Sequence, residues 1–392
     1  MREVVIVSEA RTPIGKFLGA LSGVPAHQLG ATAIKAAVER AGVKPESVEH
    51  VLMGNVLQAG QGQAPARQAL LGAGLPKSTG AVTLHKVCGS GLRTVMDAAN
   101  GIKAEEWTTV VAGGMENMSL SPHLMERSRA GYRMGDVKIS DSMIKDGLWD
   151  PYGDKHMGNC AEMCADKYTF TREAQDAFAL ESYKRAQGAM EAGDFEAELA
   201  AVSVPQRKGD PVVVDKDEEP FGAPLDKMGK LRPAFDKNGT VTAANASKIN
   251  DGAAAMVLMS ADEAAAQGLK PLAKIVSYAS HAHEPDWFTT APVDAAKKAL
   301  DKAGLKASDI DLWEINEAFA VVTMASVKDL ELDESKVNVR GGAVALGHPI
   351  GCSGARILTT LLHALKAKGG KYGCASICIG GGEAAAMVVE AL

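Results

Sequence analysis

An internal repeat constrains the fold of this chain more than any other feature of its sequence. Three pairs of segments match in the same order and at similar offsets: AGVKPESVEHVLMGNV (41–56) with AGLKASDIDLWEINEA (303–318), CGSGLR (88–93) with GCSGAR (351–356), and AGGMEN (112–117) with GGGEAA (380–385). Such a pattern indicates two copies of one α/β unit. We expect the two halves to pack together, so that loops at their strand ends meet in one cleft.

The middle of the chain has no counterpart in the second copy. The sequence therefore predicts an N-terminal half made of residues 1–118 and 251–270, an inserted loop domain at 119–250, and a C-terminal half at 271–392. An insertion on the side of the strand-end loops is expected to act as a lid or a binding subdomain.

The clearest chemical signal is Cys88 in the stretch TLHKVCGSGLRTVMDAA. Apolar residues before it indicate a strand, Gly89 and Gly91 indicate a tight turn, and the apolar spacing that follows indicates a helix. Backbone N–H groups and the positive end of a helix would then surround the thiol, lower its pKa and make it a nucleophile. The alternative is a buried structural cysteine beside a tight turn.

Three further segments supply partners for such a nucleophile. His348 lies in GHPIG, Cys378 precedes Gly380 in CIGGG, and Asn316 lies in INEAF, each next to an apolar strand. A thiol nucleophile needs a base, donors for an oxyanion and often a second acid–base group, and these residues can supply them. Each residue taken alone also has a structural explanation, so the combination carries the interpretation.

With these motifs in this order, the whole chain resembles the thiolase family, and most of all its acetyl-CoA acetyltransferases (acetoacetyl-CoA thiolases). The segments that carry the resemblance are VCGSGL, VAGGMENMS, HMG, GTVTAANAS, INEAF, GHPIG and CIGGG. The resemblance implies an α/β protein of the thiolase fold, with two duplicated α/β halves packed together and an inserted loop domain that covers coenzyme A.

The resemblance also implies a role for each candidate catalytic residue. Cys88 would take the acyl group as a thioester, and His348 would activate its thiol. Cys378 would move the proton at the substrate α-carbon, and Asn316 would hold a water that receives the thioester oxyanion together with His348. Backbone N–H groups of Cys88 and Gly380 would form a second oxyanion hole, since fixed donors stabilise the charge that develops there.

The resemblance places a further set of residues around the pantetheine arm and the acyl group: Leu148, His156, Met157, Phe235, Ala243, Ser247, Ala318 and Phe319. Three departures from the family stand out. Phe221 replaces an arginine that often holds the adenosine end of coenzyme A, and Lys248 replaces a usual glycine. The segment EPDWFTTAP sets Phe288 and Thr289 near the acyl pocket, where the bulk of Phe288 would favour short acyl groups.

The implied reaction is a reversible condensation of two acetyl-CoA into acetoacetyl-CoA and CoA through an acetyl-cysteine. These thioesters are substrates, so no cofactor is expected. The resemblance also implies a homotetramer, with SPHLMERSRAGYRMGD (121–136) at the tetramer-forming loop. Alternatives are a 3-ketoacyl-CoA thiolase acting on longer chains in fatty-acid β-oxidation, a catalytically silent CoA-binding or scaffold protein, and a cysteine hydrolase. The complete residue set disfavours the scaffold, and Cys378 together with the repeat disfavours the hydrolase.

Composition excludes several other classes. A net charge of −6 argues against nucleic acid as a partner. The chain has no apolar stretch of membrane-spanning length and no basic and apolar leader, so we expect no membrane partner and a cytoplasmic location. Its six cysteines lack the neighbours of a usual zinc pattern, which predicts free thiols and no metal site.

Overall fold

A computed structural model describes residues 2–392 of the chain. Its strands are β1 (Val4–Arg11), β2 (Gly15–Lys16), β3 (His50–Gly54), β4 (Gly80–Leu84), β5 (Thr109–Asn117), β6 (His123–Leu124), β7 (Ser140–Asp141), β8 (Trp149–Asp150), β9 (Lys155–His156), β10 (Val202–Val204), β11 (Val212–Val214), β12 (Asn250–Ser260), β13 (Ala273–Ala282), β14 (Leu312–Ile315), β15 (Tyr372–Ile379) and β16 (Glu383–Ala391).

Helices lie between many of these strands. They are α1 (Ala26–Ala41), α2 (Pro65–Gly72), α3 (Ser90–Lys103), α4 (Met157–Tyr168), α5 (Arg172–Glu191), α6 (Ala261–Ala266), α7 (Ala291–Ala303), α8 (Ala320–Asp329), α9 (Ala343–Leu346) and α10 (Ser353–Lys368). Short helical turns occupy Pro45–Ser47, Ser128–Ala130, Ile144–Leu148, Leu225–Lys230, Pro285–Trp287, Ala307–Asp309 and Glu334–Lys336. Within residues 2–392, no helix combines the length and the apolar character that a membrane span requires.

The main sheet displays the duplication directly. Its strand order is β4-β3-β5-β12-β1-β13-β16-β15-β14, and β2 pairs with β12 off this path. The two halves meet where β1 and β13 run antiparallel over two residue pairs, Val5 with Lys274 and Ile6 with Ala273. Outward from that line, β1, β12, β5 and β3 correspond to β13, β16, β15 and β14. The observed order confirms the two packed α/β halves that the repeat predicts.

Helices complete the layers. α1 and α2 cover the sheet of the first half, and α7 covers that of the second half. α3 and α10 pack against each other and against strands of both halves. A Cβ at Gly91 would lie 2.8 Å from the Ala355 nitrogen, and one at Gly354 would lie 2.4 Å from the Leu92 nitrogen. These equivalent glycines therefore let the two helix starts cross closely, which brings the Cys88 turn next to the loop that carries His348.

The third pair of matched segments is not equivalent in the structure. Residues 112–117 lie within β5, whereas residues 380–385 form the turn after β15 and the start of β16. β5 and β15 follow their helices at the same spacing, from Ser90 to Thr109 and from Ser353 to Tyr372. Residues 375–380 are therefore the equivalent of 112–117. That sequence match was wrong because both segments are rich in glycine, whatever their position.

The segment between β5 and β12 contributes α4, α5 and three small two-stranded sheets. His156 caps the start of α4, and its Nδ1 accepts a hydrogen bond from the Gly158 nitrogen at 3.0 Å. This cap satisfies one of the unpaired N–H groups of the first turn. It also fixes His156 and Met157 at the wall of the cavity described below. The proposed boundaries at 119 and 250 stay a prediction.

Candidate active site

The start of α3 presents Cys88 at a cavity of about 400 Å³. Ser90 holds the turn: its hydroxyl donates to the Val87 carbonyl at 2.6 Å and accepts from the Lys86 nitrogen at 2.8 Å. Val87 itself has a φ of 45°, which is unusual for a β-branched residue. The turn is therefore held in a strained shape by specific hydrogen bonds, and the neighbouring thiol faces the cavity.

The environment of the Cys88 thiol differs from the sequence expectation. Burial raises its pKa to about 12, although the backbone N–H groups of Gly380 and of Cys88 itself act in the opposite direction. The N–H groups and the helix end were expected to lower the pKa. That expectation is wrong for the resting site because desolvation outweighs these donors. The thiol therefore rests protonated and needs a base to become a nucleophile.

His348 can present the neutral tautomer that such a base needs. Its Nδ1 lies 2.6 Å from the Ser353 hydroxyl, and this hydroxyl donates its only proton to the Pro349 carbonyl at 3.0 Å. With its proton on the Pro349 carbonyl, the hydroxyl accepts from Nδ1–H, and this assignment leaves Nε2 with a free lone pair. Nε2 is buried and has no partner among the described residues.

The charge state of His348 agrees with this tautomer. Burial lowers its pKa to about 3, and the positive charge of Arg356 adds to the effect. The backbone N–H of His348 donates to Asn250 Oδ1 at 2.9 Å, which fixes the loop. His348 and Cys88 both line the cavity. The resting pair is therefore a neutral imidazole beside a neutral thiol.

Asn316 and Cys378 are not among the residues that line the cavity, but Cys378 packs in one cluster with the lining residues Met157, Phe288 and Phe319. The Asn316 side chain is fully buried, and neither its Oδ1 nor its Nδ2 has a partner among the described residues. Because an unpaired buried amide is costly, this amide is suited to hold a water or a polar substrate atom. Burial raises the pKa of the Cys378 thiol, and a charge on nearby Cys88 raises it further.

Gly380 lies at the turn between β15 and β16 and lines the cavity. The interaction with its backbone N–H lowers the pKa of the Cys88 thiol, in opposition to burial. A Cβ at this position would come within 3.5 Å of Met157 Sδ and of Val87 Cγ1. The turn therefore directs one N–H donor at the thiol, as an oxyanion hole beside Cys88 requires.

Aromatic rings form one side of the cavity. The His156 ring stacks on Phe235 with centroids 4.7 Å apart, and Phe319 lies 6.0 Å from Phe235 and 6.4 Å from Phe288. The structure also places the remaining residues of the predicted binding set on the cavity wall: Leu148, Met157, Ala243, Ser247 and Ala318. A mostly apolar wall with few polar groups suits a pantetheine arm and a short acyl chain. Their role in binding stays a prediction.

The three departures from the family lie in different surroundings. Phe221 is 55% exposed and lies outside the cavity. Phe288 lines the cavity and is only 3% exposed, whereas neighbouring Thr289 is buried and does not line it. Lys248 lies in the cavity wall beside Ser247.

Several site residues were not identified from the sequence. The cavity wall also contains Met118, Glu219 and Ile350, and Ser353 and Asn250 hold His348 from behind. The repeat contained a signal for Ser353, because GCSGAR aligns it with Ser90 beside the nucleophile. No comparable pattern marks Glu219, which comes from a separate loop.

Within the described residues, one group has the spacing of a metal site: His281, His283 and Asp294. These side chains come from the end of β13 and from α7, and none of them lines the cavity. The Lys298 ammonium lies 2.9 Å from His281 Nδ1, so a cationic group already occupies the neighbourhood. The expected absence of a metal stays a prediction.

Comparison with known proteins finds matches along nearly the whole chain. Residues 4–262 match the family model of the thiolase N-terminal domain, and residues 269–391 match that of the thiolase C-terminal domain. An acetyl-CoA acetyltransferase from Cupriavidus necator is 57% identical over 391 residues, covering 100% of both chains. The mitochondrial acetyl-CoA acetyltransferase of Homo sapiens is 53% identical over 393 residues, covering 100% of this chain and 91% of its own.

Solved structures agree with the fold. Acat5 thiolase from Ascaris suum, in complex with coenzyme A, superposes with a TM-score of 0.95 at 45% identity and 100% coverage of both chains. The Bacillus anthracis acetyl-CoA acetyltransferase gives a TM-score of 0.98 at 42% identity, covering 100% of this chain and 99% of its own. These superpositions confirm the predicted fold, and with the two matched family models they show that the chain belongs to the thiolase family.

Proposed function

We propose that this chain is an acetyl-CoA C-acetyltransferase, which joins two acetyl-CoA into acetoacetyl-CoA and CoA and catalyses the reverse cleavage. The observation that carries the proposal is that Cys88, Gly380 and His348 line one cavity, and that Nε2 of His348 has no hydrogen-bond partner among the described residues. Full-length relatives named acetyl-CoA acetyltransferase support the choice of acyl group.

Acylation begins with a proton transfer. His348 Nε2 takes the Cys88 proton, and the sulfur forms a bond to the thioester carbonyl carbon of acetyl-CoA. N–H groups of Cys88 and Gly380 hold the oxyanion. The carbon–sulfur bond to CoA then breaks. The leaving CoA thiolate takes a proton from Cys378, which starts as a thiol because burial raises its pKa.

Condensation uses the groups in their new protonation states. The Cys378 thiolate takes a proton from the methyl group of a second acetyl-CoA. The resulting enolate oxygen is held by protonated His348 and by a water on Asn316. The enolate carbon attacks the acetyl carbonyl on Cys88, and the bond to the Cys88 sulfur breaks. The Cys88 thiolate recovers its proton from His348, so the site returns to its starting state.

Phe288 limits the acyl chain in this proposal. Its buried ring faces the cavity beside Phe319, where a longer acyl chain would have to displace it. A 3-ketoacyl-CoA thiolase of fatty-acid β-oxidation would instead need open space at this position. The chain-length test in the Discussion distinguishes the two.

We also propose a homotetramer built through residues 121–136. This segment and its continuation to β7 expose large apolar side chains that water solvates poorly: Met125, Tyr132, Met134, Val137 and Ile139. Burial between copies of the chain would cover them. Analytical ultracentrifugation should give a tetramer mass, and Met134→Asp should lower it.

Two further parts of the proposal concern location and cofactors. The cytoplasmic location is testable by cell fractionation. The thioester substrates carry the reactive groups, so the reaction needs no further cofactor. Dialysis against a chelator should therefore leave the rate of acetoacetyl-CoA cleavage unchanged. Loss of activity after dialysis would point to His281, His283 and Asp294 as a functional metal site.

The experiment that tests the proposal is an assay of the purified chain with acetoacetyl-CoA and CoA. We expect two acetyl-CoA per acetoacetyl-CoA consumed, measured by chromatography. Incubation with acetyl-CoA alone should give acetoacetyl-CoA in small yield. Release of free acetate with no acyl transfer to CoA would indicate a hydrolase and contradict the proposal.

A further inference from the structure

The catalytic steps leave two ionisable side chains of the cavity wall unused, Glu219 and Lys248. Lys248 lies in the cavity wall, and burial lowers its pKa to about 8 while Glu219 and Glu317 oppose the change. Its ammonium donates to the Ala246 carbonyl at 2.9 Å and to the Val344 carbonyl at 3.3 Å. Placing a charge in such a site is costly unless hydrogen bonds or opposite charges offset the lost hydration.

The two carbonyls belong to different parts of the site. Ala246 lies in the segment 243–247, which forms the cavity wall next to Ala318. The Ser247 nitrogen donates to the Ala318 carbonyl at 3.0 Å, which fixes the other side of that segment. Val344 lies in α9, directly before the loop of His348. The ammonium therefore joins the substrate wall to the loop of the base.

The surroundings suit a compact cation. Nζ lies 5.6 Å from the centroid of the Tyr183 ring, within reach of a cation–π contact. No carboxylate of the described residues forms an ion pair with it. Glu219 is near enough to act on its charge, yet its Oε1 accepts from Asn250 Nδ2 at 3.1 Å. Carbonyl dipoles, not an ion pair, hold this ammonium.

A second connection reaches the same loop. Asn250, bonded to Glu219, accepts from the backbone N–H of His348 at 2.9 Å. Gly347 is essential to this contact: its φ is +105°, and a Cβ there would lie 2.4 Å from Asn250 Oδ1. The loop of His348 is thus held on one side by Asn250 and on the other by the helix that Lys248 contacts.

We infer that the Lys248 ammonium is a positioning group, a tethered cation that holds the Ala246 and Val344 carbonyls and so sets the substrate wall relative to His348. The position it fills is a site for a small N–H-bearing cation, which an ammonium ion can occupy when the side chain is removed. The kinetic test of this inference rests on the proposed function, whereas the thermal-unfolding test does not.

Two variants distinguish the loss of the Lys248 charge from the opening of space for a cation. Lys248→Ala removes the ammonium and leaves room, whereas Lys248→Met removes the charge and fills the room with a chain of similar length. Both should lose about tenfold in kcat/KM for acetoacetyl-CoA cleavage, as expected when buried carbonyls lose a charged donor. Ammonium chloride should restore most of the loss in Lys248→Ala and little in Lys248→Met. Tetramethylammonium chloride, which has no N–H, should restore neither, and wild type should not respond.

Unfolding gives the readout that needs no activity. Ammonium should raise the thermal midpoint of Lys248→Ala above that in tetramethylammonium at equal ionic strength, with no such difference for Lys248→Met. An inactive wild type would contradict the proposed function and leave this thermal result to decide the inference. Undiminished kcat/KM in Lys248→Ala, no recovery with ammonium, or equal recovery in both variants would overturn it.

Discussion

Two helix starts cross at the centre of the molecule, and each contains a serine at the equivalent position. The two serines have different roles. Ser90 donates to Val87 and accepts from the Lys86 nitrogen, so it closes the turn that presents Cys88. Ser353 occupies the equivalent place, donates to Pro349 and accepts from the His348 imidazole. In the first half the hydroxyl shapes the backbone beside a nucleophile. In the second half it sets the tautomer of a base.

The difference shows how a duplicated unit divides one reaction. Each copy places a strand end, a glycine turn and a helix start at the centre, where Gly91 and Gly354 let the helices approach. The first copy supplies Cys88, and the second supplies His348, Cys378 and Asn316. The predictions below test this division, beginning with the largest expected effect.

Removal of the second thiol should separate the two half-reactions. Cys378→Ala should still acetylate Cys88, because CoA is an adequate leaving group, but should lose condensation by about a thousandfold, within the range for a general acid–base group. Mass spectrometry of the acetyl-enzyme and α-proton exchange of acetyl-CoA measure the two halves. Near-wild-type exchange in the variant would mean that another group is the base.

The resting thiol should show its raised pKa in its reactivity. Because the pKa of Cys88 is about 12 and that of His348 about 3, the resting pair is neutral at neutral pH. The thiolate fraction below the thiol pKa rises about tenfold per pH unit. The rate at which iodoacetamide alkylates Cys88 in the folded protein should rise with pH at that same slope, as measured on the peptide that contains Cys88. A rate independent of pH between about 6 and 9 would indicate a thiolate–imidazolium pair instead, as a low thiol pKa would produce.

The serine comparison predicts a contrast between two matched variants. Ser353→Ala should lower kcat/KM by about tenfold to hundredfold with little change in the thermal midpoint, because the imidazole loses its acceptor and its preferred tautomer. Ser353→Thr, which retains a hydroxyl, should recover part of the rate. Ser90→Ala should lower both the rate and the midpoint, because its loss frees the turn. An equal thermal loss in both alanine variants would make Ser353 a purely structural residue.

The sequence predicted much of this site, and the reasons are local. Glycine turns at the ends of apolar segments marked Cys88, His348 and Cys378, and the repeat explained how distant segments meet. The apolar segment before His348 was predicted to be a strand, and that prediction was wrong, because Ala343–Leu346 form the short helix α9. The tautomer of His348 could not be predicted, since it depends on where the Ser353 proton points. The direction of the Cys88 pKa shift was also missed, because it depends on burial in three dimensions and not on the adjacent helix.

Other features depend on contacts between segments that carry no shared pattern. Lys248 donates to the carbonyl of Ala246, which is close in sequence, and to that of Val344, which is nearly a hundred residues away. The meeting of β1 with β13 rests on two residue pairs. The third repeat was placed in the wrong register because glycine content, unlike the spacing from helix to strand, does not fix position.

Phe288 gives the smallest expected effect. Phe288→Ala should raise the ratio of kcat/KM for six-carbon 3-ketoacyl-CoA to that for acetoacetyl-CoA by about tenfold, within the range for opening an apolar pocket. The ratio is measured in mutant and wild type with both substrates. An unchanged ratio would mean that the ring does not limit the chain, and a wild type that already prefers six carbons would favour the longer-chain thiolase.

The central claim is that the first half supplies the nucleophile and the second half activates it. Mass spectrometry of peptides after brief incubation with acetyl-CoA tests this directly, because the matched junctions each contain a cysteine: Cys88 at the cavity, and Cys352 fully buried. The account predicts an acetyl adduct on Cys88 alone, released by CoA and not by water, and absent from Cys88→Ala. It also predicts much slower adduct formation in His348→Ala. An adduct on Cys352 or Cys378, or one that persists in Cys88→Ala, would contradict it.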